Sequence, residues 1–135
     1  MQVKPRSETE ARKAARPVLL HAGWHDAEFR EATERQSKRG NDMIEALVVV
    51  REPDGNEREF RDYLTDTGMG ALKLRHACEA VGALGKYEAG EISAADFPGH
   101  ACRVRVGVEK RRGYPDRNII EDYAASPAVS LRPAS

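Results

Sequence analysis

Only one stretch of this chain repeats with a helical period, and it stands between segments that alternate with a period of two. Ala71, Leu74, Cys78 and Val81 fall three or four residues apart, which gathers them on one face of a helix. Asp66 or Thr67 can cap its start, and Gly82 or Gly85 supplies its stop. Downstream, Cys102, Val104, Val106 and Val108 alternate with Arg103, Arg105, Gly107 and Glu109, the pattern of a half-buried strand. Gly113-Tyr114-Pro115-Asp116 then reads as a turn, and Asn118 to Tyr123 as a short last strand.

Three strands are expected before the helix. Trp24 to Glu34, mixed in pattern with Ala27, Phe29 and Glu31 on one parity, reads as a strand interrupted by a bulge or an edge irregularity. Ser37-Lys38-Arg39-Gly40-Asn41 is a turn signal. Met43 to Arg51 is rich in Ile, Leu and Val, as a buried strand requires. Pro53-Asp54-Gly55-Asn56 makes a tight turn into Glu57 to Leu64, which alternates and pairs back as a hairpin. The resulting β-β-β-α-β-β order predicts an all-β fold with one helix: a five-stranded Greek-key OB barrel. There the helix plugs the open end, and Ala71, Ala77 and Ala80 keep it slim. A ferredoxin-like fold would need a second amphipathic helix, which the pattern lacks.

A length of 135 residues suits one domain. The expected division is a basic N-terminal arm over residues 1–16, the barrel over 17–124 and a disordered Pro/Ser-containing tail over 125–135. Twenty-two Lys and Arg balance twenty-two Asp and Glu, which excludes a histone-like polycation and an acidic disordered chain. The longest apolar run, Ala46 to Val50, is too short to cross a bilayer, so no membrane partner is expected. The charged N-terminus has no apolar stretch of signal-peptide length. Two cysteines, Cys78 and Cys102, make no disulfide framework, and a reducing cytoplasmic setting is expected.

Several chemical motifs fail on geometry. His76-Ala77-Cys78 and His100-Ala101-Cys102 look like metal pairs, but residues two apart on a helix point away from each other. Both cysteines also fall on apolar faces, where the thiol acts as a small hydrophobe. Gly82 to Tyr87 resembles part of a phosphate loop but follows a helix instead of opening one. Gly68-Met69-Gly70 reads as a flexible lead-in to the helix. His21, His25 and Asp26 have no nucleophile in a recognisable arrangement. Neither an enzyme nor a metal or organic cofactor is expected.

Nucleic-acid binding is better supported. Single strands are held by cations that track phosphates and by flat side chains that stack on bases. On an OB barrel the platform is strands two and three, framed by the first and last hairpin turns, so those two turns are expected to flank one groove. Here those turns carry Lys38 and Arg39, and Lys110, Arg111, Arg112, Tyr114 and Arg117. Arg51, Arg58, Phe60 and Tyr63 lie on the second and third strands, Arg103 and Arg105 on the outer face of the fourth, and Trp24 at the start of the first. Phe60 and Tyr63 have opposite parity, so one of them at most faces outward on a regular strand. The competing reading is a non-catalytic protein-interaction barrel, a phage accessory or assembly factor, whose basic turns contact an acidic partner.

A set of short motifs in order extends this reading. Gly23-Trp24-His25-Asp26-Ala27, Ala32, Ser37-Lys38-Arg39-Gly40-Asn41-Asp42-Met43-Ile44, Tyr63-Leu64, Lys73-Leu74 and Ala80-Val81-Gly82 come first. Phe97-Pro98-Gly99-His100, Val104-Arg105-Val106 and Arg117-Asn118 complete it. Over about residues 20–123 the chain resembles small phage and prophage proteins that are similar to phage single-stranded DNA-binding proteins. The resemblance implies an OB-fold, no catalysis, and protection of single strands during phage replication or recombination. Its implied partners are single-stranded DNA and replication or recombination proteins, with self-association left open. The tail lacks the acidic character through which many single-strand binders recruit enzymes.

Overall fold

A computed structural model of the chain describes residues 19–36 and 38–127, together with residues 2, 3, 5, 7 and 8. The five cations of the expected arm (Lys4, Arg6, Arg12, Lys13 and Arg16) lie outside the described residues, as does the tail from Ala128 onward. The five strands are β1 (Gly23–Gln36), β2 (Asp42–Arg51), β3 (Glu57–Thr65), β4 (Ala101–Arg111) and β5 (Tyr114–Ala125). They form one antiparallel sheet in the order β3-β2-β1-β4-β5. Between β3 and β4 run the helices α1 (Gly70–Ala80) and α2 (Leu84–Glu88) and a 3-10 turn (Ala94–Asp96).

β1 is long because it serves two neighbours in succession. Its first half pairs with β4 and most of its length with β2, and the β2 ladder slips between Phe29 and Glu31. The extra residue, Arg30, switches the inward parity, so Ala27 and Phe29 are buried before the bulge and Ala32 turns inward after it, leaving Glu31 exposed. Glu31 therefore does not share the face of Ala27 and Phe29 as simple alternation predicts. Opposite the bulge, Phe29 exchanges backbone hydrogen bonds with Gly99 and His100, at 2.8 and 3.0 Å. Gly99 supplies the positive φ of +85° that this lead-in to β4 needs. Phe97, fully buried, meets Phe29 edge-on at 5.2 Å, and Tyr123 stacks on the other side of Phe29 at the same distance. These three rings form the centre of the core, with Val48, Val50, Val104 and Val106 around them.

β3 and β5 are the two edges of the ladder, so the sheet does not close through backbone hydrogen bonds. Side chains bridge the seam instead. Asp62 on β3 accepts from the Tyr123 hydroxyl of β5 at 2.6 Å and from Lys73 Nζ of α1 at 2.9 Å. Lys73 also donates to the Ile120 carbonyl at 2.7 Å. Arg58 reaches Asn118 Oδ1 across the same gap at 3.4 Å. Burial and the neighbouring Asp62 carboxylate hold the Tyr123 hydroxyl well above the ordinary tyrosine range. α1 lies against β5 and β3 and presents Leu74, Ala77 and Cys78 to the core.

Two local expectations change. α1 starts two or three residues later than a cap at Thr67 or Asp66 requires: Met69 is the N-cap residue and no side chain caps the helix. Its stop is at Gly82 (φ +74°), where Ala83 N–H reaches the Cys78 carbonyl and Gly82 N–H the Glu79 carbonyl, a Schellman arrangement. β5 starts at Tyr114, not Asn118, because Arg111 and Tyr114 pair directly and Arg112 and Gly113 alone make the turn. The strand continues to Ala125, and Ser126 beyond it is buried.

Candidate nucleic-acid interface

The hairpin β4–β5 is longer than the sheet that supports it. β1 begins at Gly23, opposite Val106, so residues 107–111 of β4 pair with β5 alone. A two-stranded ribbon results. Val108 keeps the inward parity of Val104 and Val106 but is exposed, because no part of β1 covers it. The ribbon carries Lys110, Arg111, Arg112, Tyr114 and Arg117. Arg111 lies over the Tyr114 ring, 5.2 Å from its centroid, and Tyr114 is 67% exposed.

At the ribbon's base, Trp24 on β1 sits directly opposite Arg105 on β4. The guanidinium of Arg105 lies 6.0 Å from the indole centroid, and Trp24 is 41% exposed. Arg103 follows two residues along the same face, opposite Asp26. Aromatic and cationic groups thus recur along one strip: Arg103, Arg105 with Trp24, then Arg111 with Tyr114. At about 3.4 Å per residue, Arg105 and Arg111 are separated by roughly 20 Å along β4. The cations of this strip are loosely held. Arg103 Nε lies 3.8 Å from Asp26 and makes no hydrogen bond, Arg105 Nε is 3.6 Å from Glu121, and Arg111 Nε is 3.8 Å from Glu109. Arg117 alone is engaged closely, at 2.9 Å from Glu109. Among the described residues Lys110 and Arg112 make no ion pair. Exposed pairs of this kind contribute about 0–1 kcal/mol and yield readily to a phosphate.

The β2–β3 surface differs. Its outward positions bring Glu45 between Arg35 and Arg61, at 3.6 and 3.4 Å, and set Arg51 opposite Glu57. Tyr63 is outward and 48% exposed, beside Glu45. Phe60 has the inward parity and packs against the core. Arg58 shares that inward face, bound to Glu52 at 2.7 Å and to Asn118. Neither Phe60 nor Arg58 belongs to the outer face of these strands, because the β2–β3 register places them opposite Val48 and Val50.

The two basic turns stand at opposite ends of β1. Lys38 and Arg39 join β1 to β2 beyond Gln36, whereas the ribbon turn projects beyond Gly23. Both Lys38 and Arg39 are exposed. Sequence reasoning named the residues of the strip but assigned the platform to β2 and β3 and expected both basic turns to flank one groove; they do not, because β1 runs its full length between them. The pairing of Trp24 with Arg105 follows only from the β1–β4 register, which no local pattern reveals.

The His-x-Cys motifs separate on folding. Cys78 and Cys102 are buried in the core, and desolvation pushes their thiols up to about 11 and about 12. His76 instead bonds Asp122 at 2.8 Å, and His100 is exposed. Among the described residues no group of three or more His, Cys, Asp or Glu is placed to hold a metal ion, and no helix is long and apolar enough to cross a membrane. Compared with known proteins, the chain matches no family and no curated protein.

Proposed function

We propose that the chain is an OB-fold module that binds single-stranded DNA without sequence preference, with the β4–β5 ribbon and Trp24 as its main contact surface. The observation that carries this reading is the strip on which two exposed aromatics, Trp24 and Tyr114, each lie beside an arginine. Such a strip provides both elements that unpaired nucleic acid requires, a π-face for bases and mobile cations for phosphates. The OB assignment is supported by the sheet order, in which β1 pairs with both β2 and β4, and by the side-chain bridges between β3 and β5. A role in phage or prophage replication or recombination rests on the motif resemblance.

Trp24 and Tyr114 stack on bases in this account, while Arg103, Arg105 and Arg111 exchange their weak carboxylate contacts for phosphates, and Lys110 and Arg112, with no ion pair among the described residues, meet phosphates directly. Lys38 and Arg39, at the far end of β1, stand apart from this strip and are not needed for the contact. The test is a titration of labelled oligo-dT, duplex DNA and RNA of equal length at two salt concentrations. Oligo-dT should bind more tightly than duplex, with a log–log salt slope of roughly −0.7 per phosphate neutralised. A salt-independent affinity, or equal affinity for duplex, would reject the reading.

A further inference from the structure

We propose that the groove between the β1–β2 hairpin and the helices docks a peptide segment that carries an apolar side chain next to Lys or Arg. The groove has a volume of about 750 Å³, within the roughly 300–1,000 Å³ typical of ligand sites. Its floor is made by Ile44, Leu64 and Leu74, and Tyr87 and Ile92 stand on the helical side. The reason it is unfilled lies in the register. Ile44 pairs with Leu64 on one side and with Glu34 on the other, so β1 contributes an exposed carboxylate where an apolar side chain would have completed the core. Gly90, on the facing wall, contributes no side chain at all.

Charge selects the occupant. Glu34, Asp42 and Asp66 line the rim, all exposed, and among the described residues none of them forms an ion pair. The one lining cation, Arg35, is turned to Glu45 at 3.6 Å. Lys38 and Arg39 lie beyond the rim, at the tip of the hairpin. An apolar floor under unpaired carboxylates suits a side chain such as Leu or Phe flanked by cations and repels a phosphate chain. The groove is also at the opposite end of β1 from Trp24 and the ribbon, so an occupant leaves that strip free. This inference does not depend on the DNA reading.

The test uses the full chain and a fluorescein-labelled peptide, Arg-Lys-Leu-Phe-Lys-Arg, followed by anisotropy at physiological ionic strength. Two control peptides replace Leu and Phe by Ser, or every Arg and Lys by Glu. The parent peptide should bind saturably, and each control should lose at least tenfold. Glu34→Lys combined with Asp66→Lys should cause a similar loss, as should Asp42→Lys alone to a smaller degree, with thermal melts matching the wild type. Glu59→Lys, on the outer face of β3, should bind the peptide as the wild type does, and oligo-dT affinity should not fall in any groove variant. No saturable binding, or binding that survives both groove variants, overturns the proposal. So does self-association of the chain that the groove variants abolish, since the occupant would then be a second copy.

Discussion

The two hairpin surfaces carry similar numbers of arginines and put them to different uses. On the β2–β3 side, Arg35 and Arg61 converge on Glu45, and Arg58 closes the seam through Glu52 and Asn118. On the β4–β5 side, the carboxylates near Arg103, Arg105 and Arg111 stay 3.6–3.8 Å away, and Lys110 and Arg112 face solvent. On the first surface two arginines share Glu45 and a third is fixed by Glu52 at 2.7 Å; on the second only Arg117, 2.9 Å from Glu109, is held that closely. Counting basic residues does not predict a polyanion site, because what matters is the carboxylates that folding brings alongside them.

The sharpest way to break this comparison is to remove the aromatics of the ribbon side. With stacking worth roughly 1–3 kcal/mol per base, Trp24→Ala with Tyr114→Ala should weaken oligo-dT binding by about 2–6 kcal/mol, read by anisotropy. Tyr63→Ala, on the ion-paired face, should change affinity far less. If the two results are reversed, the contact surface is on β2–β3.

A smaller effect concerns the seam. Tyr123→Phe removes the hydroxyl that Asp62 accepts, leaving the carboxylate to Lys73. Hydrogen bonds to charged groups contribute about 1.5–3 kcal/mol, and urea unfolding should show a loss of that order. Alkaline pH acts on the same core. The thiols of Cys78 and Cys102 ionise near 9.0 when unfolded but only at about 11 and about 12 when folded. Their contribution is therefore fully present below pH 9 and is lost as pH rises from about 9 towards 12, while both thiols stay unreactive to a disulfide reagent in the native state at neutral pH.

Charge substitutions should sharpen the comparison most finely. Lys110→Ala, Arg111→Ala and Arg112→Ala together should reduce the salt slope by about 2, given roughly 0.7 per phosphate. Arg35→Ala with Arg61→Ala should leave the slope nearly unchanged and alter stability by less than about 1 kcal/mol.

Period-two alternation and turn residues were enough to locate all five strands, since each has one buried face or lies beside a strong turn. That β1 carries an irregularity was also legible from its mixed pattern, but its place was not, since Glu31 reads as continuing the parity of Phe29 and the slip falls between them. What escaped was either too short for a period or set by distant contacts. The five residues of α2 span little more than one turn, and the 3-10 turn shows itself only in the Ser93/Asp96 capping box. Asp62, an acid on the inward face of a strand, gave no sign of its partners because Lys73 and Tyr123 come from other elements. The candidate strip was half legible: its residues stood out by type, but their grouping depended on β1 stopping short of the β4–β5 ribbon.

The central claim is that bases stack on the ribbon side, and the lone tryptophan reports on it directly. Trp24 emission should be quenched as oligo-dT is added, saturating at the same stoichiometry as the anisotropy of the labelled strand, with Arg105→Ala weakening both together. Binding that leaves Trp24 emission unchanged, or quenching without any rise in anisotropy, would contradict it.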